Sequence, residues 1–100
     1  MNQEIIRVLK ECGFSRNETK MYLASLSLGT ARVNEIAKKA GLIRTTGYEV
    51  LRSLIQKGLV AYVIKSGIRY FEATDPSKIL EILDDRKTNI KKILPKLHKI

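Results

Sequence analysis

The sequence lacks the features of several large classes of protein. It has a single cysteine, Cys12, which excludes an internal disulfide and is typical of a reducing compartment, so we expect a cytoplasmic protein. No apolar stretch approaches the ~20 residues that a membrane-spanning helix needs. The first residues also lack the basic and apolar segments of a secretory signal. We therefore expect neither secretion nor a membrane partner.

The residue patterns of an enzyme are missing as well. Cys12 and the only histidine, His98, lie at opposite ends of the chain. No paired carboxylates, phosphate-binding loop or metal-ligand spacing are present. We therefore predict no catalytic activity, no metal site and no cofactor. Cys12 is interpreted as a small buried apolar residue, with a redox switch as the alternative.

Positive charge, by contrast, is abundant. The chain of 100 residues has 19 Lys and Arg against 10 Asp and Glu, which gives a formal net charge of +9. A field of this sign attracts polyanions, either nucleic acid or an anionic membrane surface. The hydrophobic share of 44% is ordinary for a globular protein. The length indicates one domain, or one domain with a helical extension.

Hydrophobic spacing and capping residues predict four helices in the first part of the chain. Ser15 and Glu18 stand three residues apart before an apolar run, which is the pattern of a capping box. Glycines follow the apolar stripes and end the helices. The four helices are predicted over residues 3–11, from Ser15 to Gly29, over 33–40 and from about Arg44 to Lys57.

The pattern then changes to that of a β-hairpin followed by a last helix. Residues 59–64 and 68–71 are rich in β-branched and aromatic residues, and 65–67 form a turn between them. Pro76 is expected to open the last helix in its first turn. The order predicts a mainly α fold with a small β-hairpin. We assign a winged helix-turn-helix to residues 1–75 and a C-terminal dimerisation helix to 76–100.

The fourth helix and the hairpin are the candidate DNA-binding elements. Ala37 and Gly41 supply the small contact residue and the positive φ that a helix-turn-helix needs. Residues 44–70 have five basic residues and one acid, Glu49, for which we favour a solvated place on the helix face, where it can pair with Arg52 or Arg44, over DNA contact. Outward polar side chains here are of the types that contact base edges or phosphates. They are Arg44, Thr45, Thr46, Tyr48 and Arg52 on the helix, and Lys65, Ser66 and Arg69 on the hairpin.

Apolar residues of the last helix follow spacings of four and three, if Arg86 takes one position. Because this seam is too long for a small core to cover, we predict a two-fold homodimer through the helix. The early residues can alternatively pack on their own domain. Pro95 is expected to kink or end the helix just before it. The predicted dimerisation residues are Ile79, Leu83, Ile90, Ile93 and Leu97.

The segment from Gly41 to Val60 resembles the DNA-binding domain of the TrmB family of archaeal transcriptional regulators. Its most specific part is Tyr48-Glu49-Val50-Leu51-Arg52 followed by Lys57-Gly58-Leu59-Val60. Related winged-helix families such as the MarR group share parts of it. The resemblance implies a winged-helix fold, dimerisation and sequence-specific binding of duplex DNA. It also implies that the Arg44–Arg52 helix lies in the major groove and that the Lys65–Arg69 turn is the wing.

The chain departs from the family pattern at three positions. Arg32 stands where a small hydroxyl cap is usual, so we expect it to face phosphate and count it as DNA-binding. Ile43 stands where proline often opens the recognition helix. Gly47 replaces a β-branched core residue, which is expected to loosen the helix by roughly 1 kcal/mol and to leave less packing beneath it. Long members have a C-terminal sugar-binding domain, and because this chain stops after the helix, we do not expect sugar sensing.

The predicted function is therefore that of a dimeric, sequence-specific, DNA-binding transcriptional regulator. Its recognition helix is expected in the major groove and its wing on the backbone or in the minor groove. One alternative is a winged-helix protein-interaction module of the transcription machinery. The other is a sequence-neutral binder of chromatin or nucleic acid. The regulator and the sequence-neutral binder both predict that affinity for DNA falls steeply with salt, but only the regulator predicts a preferred site.

Overall fold

A computed structural model describes residues 2–100 of the chain. Five helices and one antiparallel hairpin confirm the predicted mainly helical fold class and the order of the elements. No helix among these residues is both long and apolar enough to span a membrane. The elements are α1 (Gln3–Glu11), α2 (Arg16–Leu28), α3 (Val33–Ala40), α4 (Arg44–Gln56), β1 (Val60–Lys65), β2 (Ile68–Ala73) and α5 (Lys78–His98).

Local capping explains where the first helices begin and end. The predicted capping box of α2 is confirmed, because the Ser15 hydroxyl accepts from the Glu18 amide at 3.0 Å and the Glu18 carboxylate accepts from the Ser15 amide at 2.9 Å. Gly41 ends α3 with a φ of 75°. The Leu42 amide then donates to the carbonyl of Ala37 at 2.9 Å. This tight turn fixes α3 and α4 as a helix-turn-helix.

The core lies between α2, α3, α4 and the inner face of the hairpin. Met21, Ile36, Leu51 and Leu54 are fully buried there, and Phe71 closes the core from the hairpin side. Hydrophobic burial of this kind is the main stabilising contribution in a domain of this size. The predicted apolar stripes of α3 and α4 therefore face inward, although their last members, Ala40 and Ile55, are only partly buried. Cys12 is also only partly buried.

Gly47 lies where α4 crosses α3. A Cβ atom at this position would stand 2.8 Å from Cβ of Ala37 and 3.3 Å from Cε of Met21. The expectation of weaker packing beneath Gly47 is therefore wrong, because the missing side chain lets the two helices approach each other directly. The glycine sets the distance between α3 and α4.

A two-residue turn joins the strands of the hairpin. Ser66 and Gly67 both have positive φ, 51° and 76°, as in the turns that match the twist of paired strands. The strands pair from Val60 with Ala73 to Lys65 with Ile68. A third, one-residue strand pairs with them, since Ala31 and Phe71 exchange backbone hydrogen bonds of 3.0 and 2.7 Å. This strand was not predicted, because a single residue has no periodicity.

The last helix begins and ends differently from the prediction. Pro76 and Ser77 form a turn before α5, and the Asp75 carboxylate accepts from the Ser77 amide at 2.8 Å and from its hydroxyl at 2.7 Å. At the other end α5 runs through Pro95 to His98, so the end expected before Pro95 is not observed. The fixed φ of proline is compatible with a helix, and only the backbone bond to the carbonyl of Lys91 is lost.

The two halves of α5 have different surroundings. Ile79 and Ile82 pack against the core, and Leu83 lies beside them next to Phe14. The Arg86 guanidinium donates to the Cys12 carbonyl at 3.3 Å and joins α5 to the end of α1. From residue 84 to residue 100 every residue is exposed. The far half of α5 therefore extends from the domain, and the longest dimension of the molecule is 53 Å.

Candidate nucleic-acid interface

The outward face of α4 is a row of polar and charged side chains. Arg44, Tyr48 and Arg52 follow one another at intervals of four residues, so they lie on one side of the helix. Together with Thr45 and Glu49 they line a surface groove of about 340 Å³. Arg44, Thr45 and Arg52 are exposed, whereas Thr46 and Tyr48 are partly buried. Most of the residues predicted for base contact are therefore on the accessible side of α4.

A second groove, of about 410 Å³, lies between the start of α3, α4 and β2. Three arginines from three different elements line it: Arg32, Arg44 and Arg69. Arg44 and Tyr48 border both grooves, which makes the two continuous across α4. We call this positively charged surface the basic face. Its cationic members are Arg32, Arg44, Arg52 and Arg69, and each of them is exposed, whereas Lys65, which is also exposed, lines a separate groove beside Val63 and Tyr70.

Arg32 occupies the position before α3, where it forms an ion pair with Glu35. Its side chain caps no amide of the helix. The Glu35 carboxylate accepts from the Arg32 amide at 3.1 Å and from its Nε at 3.4 Å. The backbone hydrogen bond from Arg32, followed by that from its side chain, lowers the pKa of Glu35. The hydroxyl cap is thus absent, as expected: the Glu35 carboxylate binds the Arg32 amide, and the Glu35 amide donates to the Arg32 carbonyl at 3.1 Å. Arg32 remains at the edge of the groove.

Glu49 pairs with neither arginine of α4. Within residues 2–100 its carboxylate forms no ion pair and lies exposed on the helix face, which agrees with the expected solvated residue, although the pair considered with it is not formed. Arg44 is five residues away and does not share a helix face with Glu49. An exposed pair with Arg52 would contribute only a few tenths of a kcal/mol, about the entropic cost of ordering both side chains.

Arg69 joins the hairpin to α4. Its Nη1 donates to the Tyr48 hydroxyl at 2.6 Å, and its guanidinium lies 5.0 Å from the centre of the Tyr62 ring. Strand alternation puts Tyr62 and Arg69 on the inner face of the hairpin, with Phe71. The prediction grouped Arg69 with the exposed tip and did not include Tyr62. Alternation along β1 and β2 was the signal that would have brought the two residues together.

The tip of the hairpin has a different composition. Lys65 and Ser66 are exposed there, as predicted for a wing. Val63 and Ile64, next to them on β1, are also exposed, at 51% and 61%. The tip therefore presents one cation and one hydroxyl beside aliphatic side chains.

Glu18 supports α4 from the side opposite the basic face. Besides capping α2, its carboxylate accepts from the Ser53 hydroxyl and from Nζ of Lys57, both at 2.7 Å. Burial alone would raise the pKa of Glu18, but the hydrogen bond from Lys57 and those from Ser15 and Ser53 lower it to about 2. This network attaches the last turn of α4 to the start of α2. The sequence pattern identified Glu18 only as a capping residue.

No group of three or more metal-ligating side chains occurs within the part of the chain that the structure describes.

The dimerisation residues predicted on α5 divide into two sets. Ile79 and Leu83 are partly covered by their own domain. Ile90, Ile93 and Leu97 are exposed, at 52%, 41% and 48%.

The amino-acid sequence is similar to those of a family of transcriptional regulators. The family model described as "Sugar-specific transcriptional regulator TrmB" matches residues 9–77. The HTH-type sugar sensing transcriptional regulator TrmBL1 of Pyrococcus furiosus is 30% identical over 94 residues, which are 93% of this chain and 27% of the relative. The uncharacterized protein MJ1082 of Methanocaldococcus jannaschii is 36% identical over 90 residues, which are 82% of this chain and 75% of the relative. The chain thus spans about a quarter of the length of TrmBL1.

Solved structures show the same fold. The structure of TrmBL2, described as an archaeal chromatin protein with a novel mode of DNA binding, superposes with a TM-score of 0.83 at 24% identity. The match covers 96% of this chain and 38% of that one. A MarR family transcriptional regulator from Silicibacter pomeroyi superposes with a TM-score of 0.62 at 17% identity, covering 96% of this chain and 60% of that one. These likenesses confirm the winged-helix fold.

Proposed function

The chain belongs to the TrmB family of transcriptional regulators, and from this premise we propose that it binds duplex DNA at a preferred sequence and regulates transcription as a homodimer. The single observation on which the proposal rests is the basic face. Three arginines, one just before α3, one on α4 and one on β2, line one groove there, next to the exposed side of α4. A helix that presents such side chains fits the width of the major groove of B-form DNA.

Different parts of the basic face have different proposed roles. Arg44, Thr45 and Arg52 of α4 contact base edges, because they are exposed and because arginine can bond a guanine edge with two hydrogen bonds. Residues at the borders contact phosphates, which position the protein without reading sequence. These are Arg32 before α3, Thr46 of α4, and Lys65 and Ser66 at the hairpin tip; Tyr48 and Arg69, which bind each other, are treated below.

The second half of α5 is the proposed dimer contact, within a dimerisation segment of residues 76–100. Because Ile79 and Leu83 are partly covered by their own domain, the contact rests on Ile90, Ile93 and Leu97. These three form an apolar stripe at helical spacing, which no other residue between 2 and 100 covers. A second copy of α5 offers the same stripe, as a two-fold interface requires.

Selection of bound duplexes from a random pool, followed by salt titration, tests this function. We expect one enriched motif, palindromic with half-sites about one helical turn (~10 bp) apart, as a two-fold dimer requires. Affinity for the enriched duplex should exceed that for random duplexes by about 10³-fold or more. A pool without an enriched motif would contradict sequence-specific regulation.

The likeness to TrmBL2 favours a second candidate function, sequence-neutral binding to chromatin. This candidate predicts equal affinity for enriched and random duplexes, with the same steep salt dependence. A protein-interaction module predicts no binding to duplex DNA at moderate salt. In both DNA-binding cases the protein must be in the same compartment as the chromosome. We therefore propose that it is located in the cytoplasm of an archaeal cell.

A further inference from the structure

We propose that Arg69 is a positioning residue, which sets the distance between the hairpin and α4, and that it does not contact a DNA phosphate. The proposal rests on the DNA-binding function proposed above. It divides the cations of the hairpin into two kinds: Lys65, which is available to DNA, and Arg69, which is engaged within the chain.

Two interactions engage the guanidinium of Arg69. The hydrogen bond to the Tyr48 hydroxyl measures 2.6 Å, and because its donor is charged it is stronger than a bond between two neutral groups. On the other side, the guanidinium lies 5.0 Å from the centre of the Tyr62 ring, which is within the range of cation–π attraction. A guanidinium that moved to a phosphate would lose both interactions.

The hydrogen bond has a special place in the fold. Among residues 2–100 it is the one side-chain hydrogen bond between the hairpin strands and α4. The other attachments of the hairpin lie nearer its base, where Phe71 pairs with Ala31 and Glu72 accepts from the Thr30 hydroxyl at 3.1 Å. Without the bond to Tyr48, the tip would be attached to the body only through that base.

The position of Tyr48 gives the bond its consequence for DNA binding. Tyr48 lies one helical turn from Arg44 and one turn from Arg52. A hairpin attached to Tyr48 therefore has a fixed distance from the side chains proposed to contact bases. The tip with Lys65, three pairs beyond the pair of Tyr62 with Phe71, is carried to a defined place on the backbone of the same duplex.

Salt-dependent binding of three variants separates positioning from phosphate contact. Each phosphate contact contributes about 0.9 to the slope of log affinity against log salt. We expect Arg69→Gln and Tyr48→Phe each to weaken binding to the enriched duplex by about tenfold, as for one hydrogen bond to a charged group. The double variant should bind no worse than either single variant, and all three should keep the slope of the unmodified protein. Lys65→Gln is the matched control, on the same hairpin, and should lower the slope by about 0.9.

Two results would overturn the proposal. One is a slope that falls by about 0.9 in Arg69→Gln while Tyr48→Phe binds as the unmodified protein does. The other is a double variant whose loss is the product of the two single losses, which would mean that the side chains act separately.

A measurement without DNA keeps this proposal distinguishable from the function on which it rests. Amide hydrogen exchange of β1 and β2 in the free protein should be faster in Arg69→Gln and Tyr48→Phe than in the unmodified protein, by a similar factor. Unchanged exchange in both variants would overturn the positioning role whatever the DNA experiments give. Absence of duplex binding by the unmodified protein, with faster exchange in the variants, would instead refute the proposed function alone.

Discussion

The fourth helix and the second half of the fifth are both largely exposed on one side, yet the chain supports them very differently. α4 is fixed by the close contact at Gly47, by the Glu18 network at its last turn and by the bond from Arg69 to Tyr48. Beyond Arg86, which bonds to the Cys12 carbonyl, the second half of α5 has no such contacts with the rest of residues 2–100, and all its residues are exposed. Its apolar stripe has the composition of an interface, but no other residue between 2 and 100 covers it.

The difference teaches which function needs internal support. A helix that contacts base edges must keep its side chains within a fraction of an ångström of the productive position, which requires packing around it. A dimerisation helix acquires its packing from the partner. Changes that remove supports of α4 should therefore lower the stability of the single domain, whereas changes on the far half of α5 should alter association alone.

The largest effect is expected for Gly47→Val. The new side chain would clash with Ala37, because its Cβ would stand 2.8 Å from the Ala37 Cβ. Overpacking of this kind should lower the free energy of unfolding by about 3 kcal/mol, measured by urea denaturation. Thr45→Val, an exposed position on the same helix, is the matched control and should change it by less than about 0.5 kcal/mol. Equal effects at both positions would show that α3 and α4 are not in close contact.

Loss of the Glu18 network should have the next largest effect. Because the pKa of Glu18 is lowered from 4.5 to about 2, its contribution to stability is present above pH 4.5 and is lost as the pH falls towards 2. Glu18→Gln should lower the free energy of unfolding at pH 7 by about 2 kcal/mol, since it removes the bond to the charged Lys57. The variant should also lose most of the decline in stability between pH 4.5 and 2.

Urea denaturation at a series of pH values between 7 and 2 compares the free energy of unfolding of Glu18→Gln with that of the unmodified protein. Glu35 is the control, because hydrogen bonds from Arg32 also lower its pKa but its carboxylate is exposed and lies outside the network. Glu35→Gln should leave the acid decline nearly unchanged. An acid decline in Glu18→Gln as steep as that of the unmodified protein would mean that other carboxylates cause it.

The smallest effect on stability is expected for Ile93→Asp, on the exposed stripe of α5. A buried unpaired carboxylate should weaken dimerisation by at least about tenfold in sedimentation equilibrium. The free energy of unfolding of the monomer should change by less than about 0.5 kcal/mol, because Ile93 has no partner in its own chain. Thr88→Asp makes the same change of charge away from the stripe and should leave association intact. Equal weakening by both changes would contradict a contact through the stripe.

Features with a local cause were predictable from the sequence. The capping box of Ser15 and Glu18 and the left-handed turn at Gly41 depend on neighbours within a few residues, and the structure has both. The hairpin was predicted from its composition, although β2 extends two residues further, to Ala73. The exposed side of α4 also followed from its period, because the apolar residues mark the buried side.

Features that depend on distant residues were missed or misread. Gly47 was expected to destabilise α4, yet its missing side chain allows Ala37 of α3 to approach α4 closely. Glu18 looked like a cap, although Ser53 and Lys57 lie more than thirty positions away in the sequence. Arg69 was grouped with the tip, while its partner Tyr48 belongs to α4. The spacing of residues along one helix or strand does not indicate which residue of another element each of them will contact.

The central claim is that the exposed side of α4 reads base edges in duplex DNA. Its most direct test compares the affinities of Arg44→Ala and Arg52→Ala for the enriched and for random duplexes, with Arg7→Ala on α1 as the charge-matched control. We expect each α4 variant to lose about 1 to 3 kcal/mol on the enriched duplex, and clearly less on random duplexes, and the control to lose little on either. An equal loss on both kinds of duplex would contradict base readout by α4.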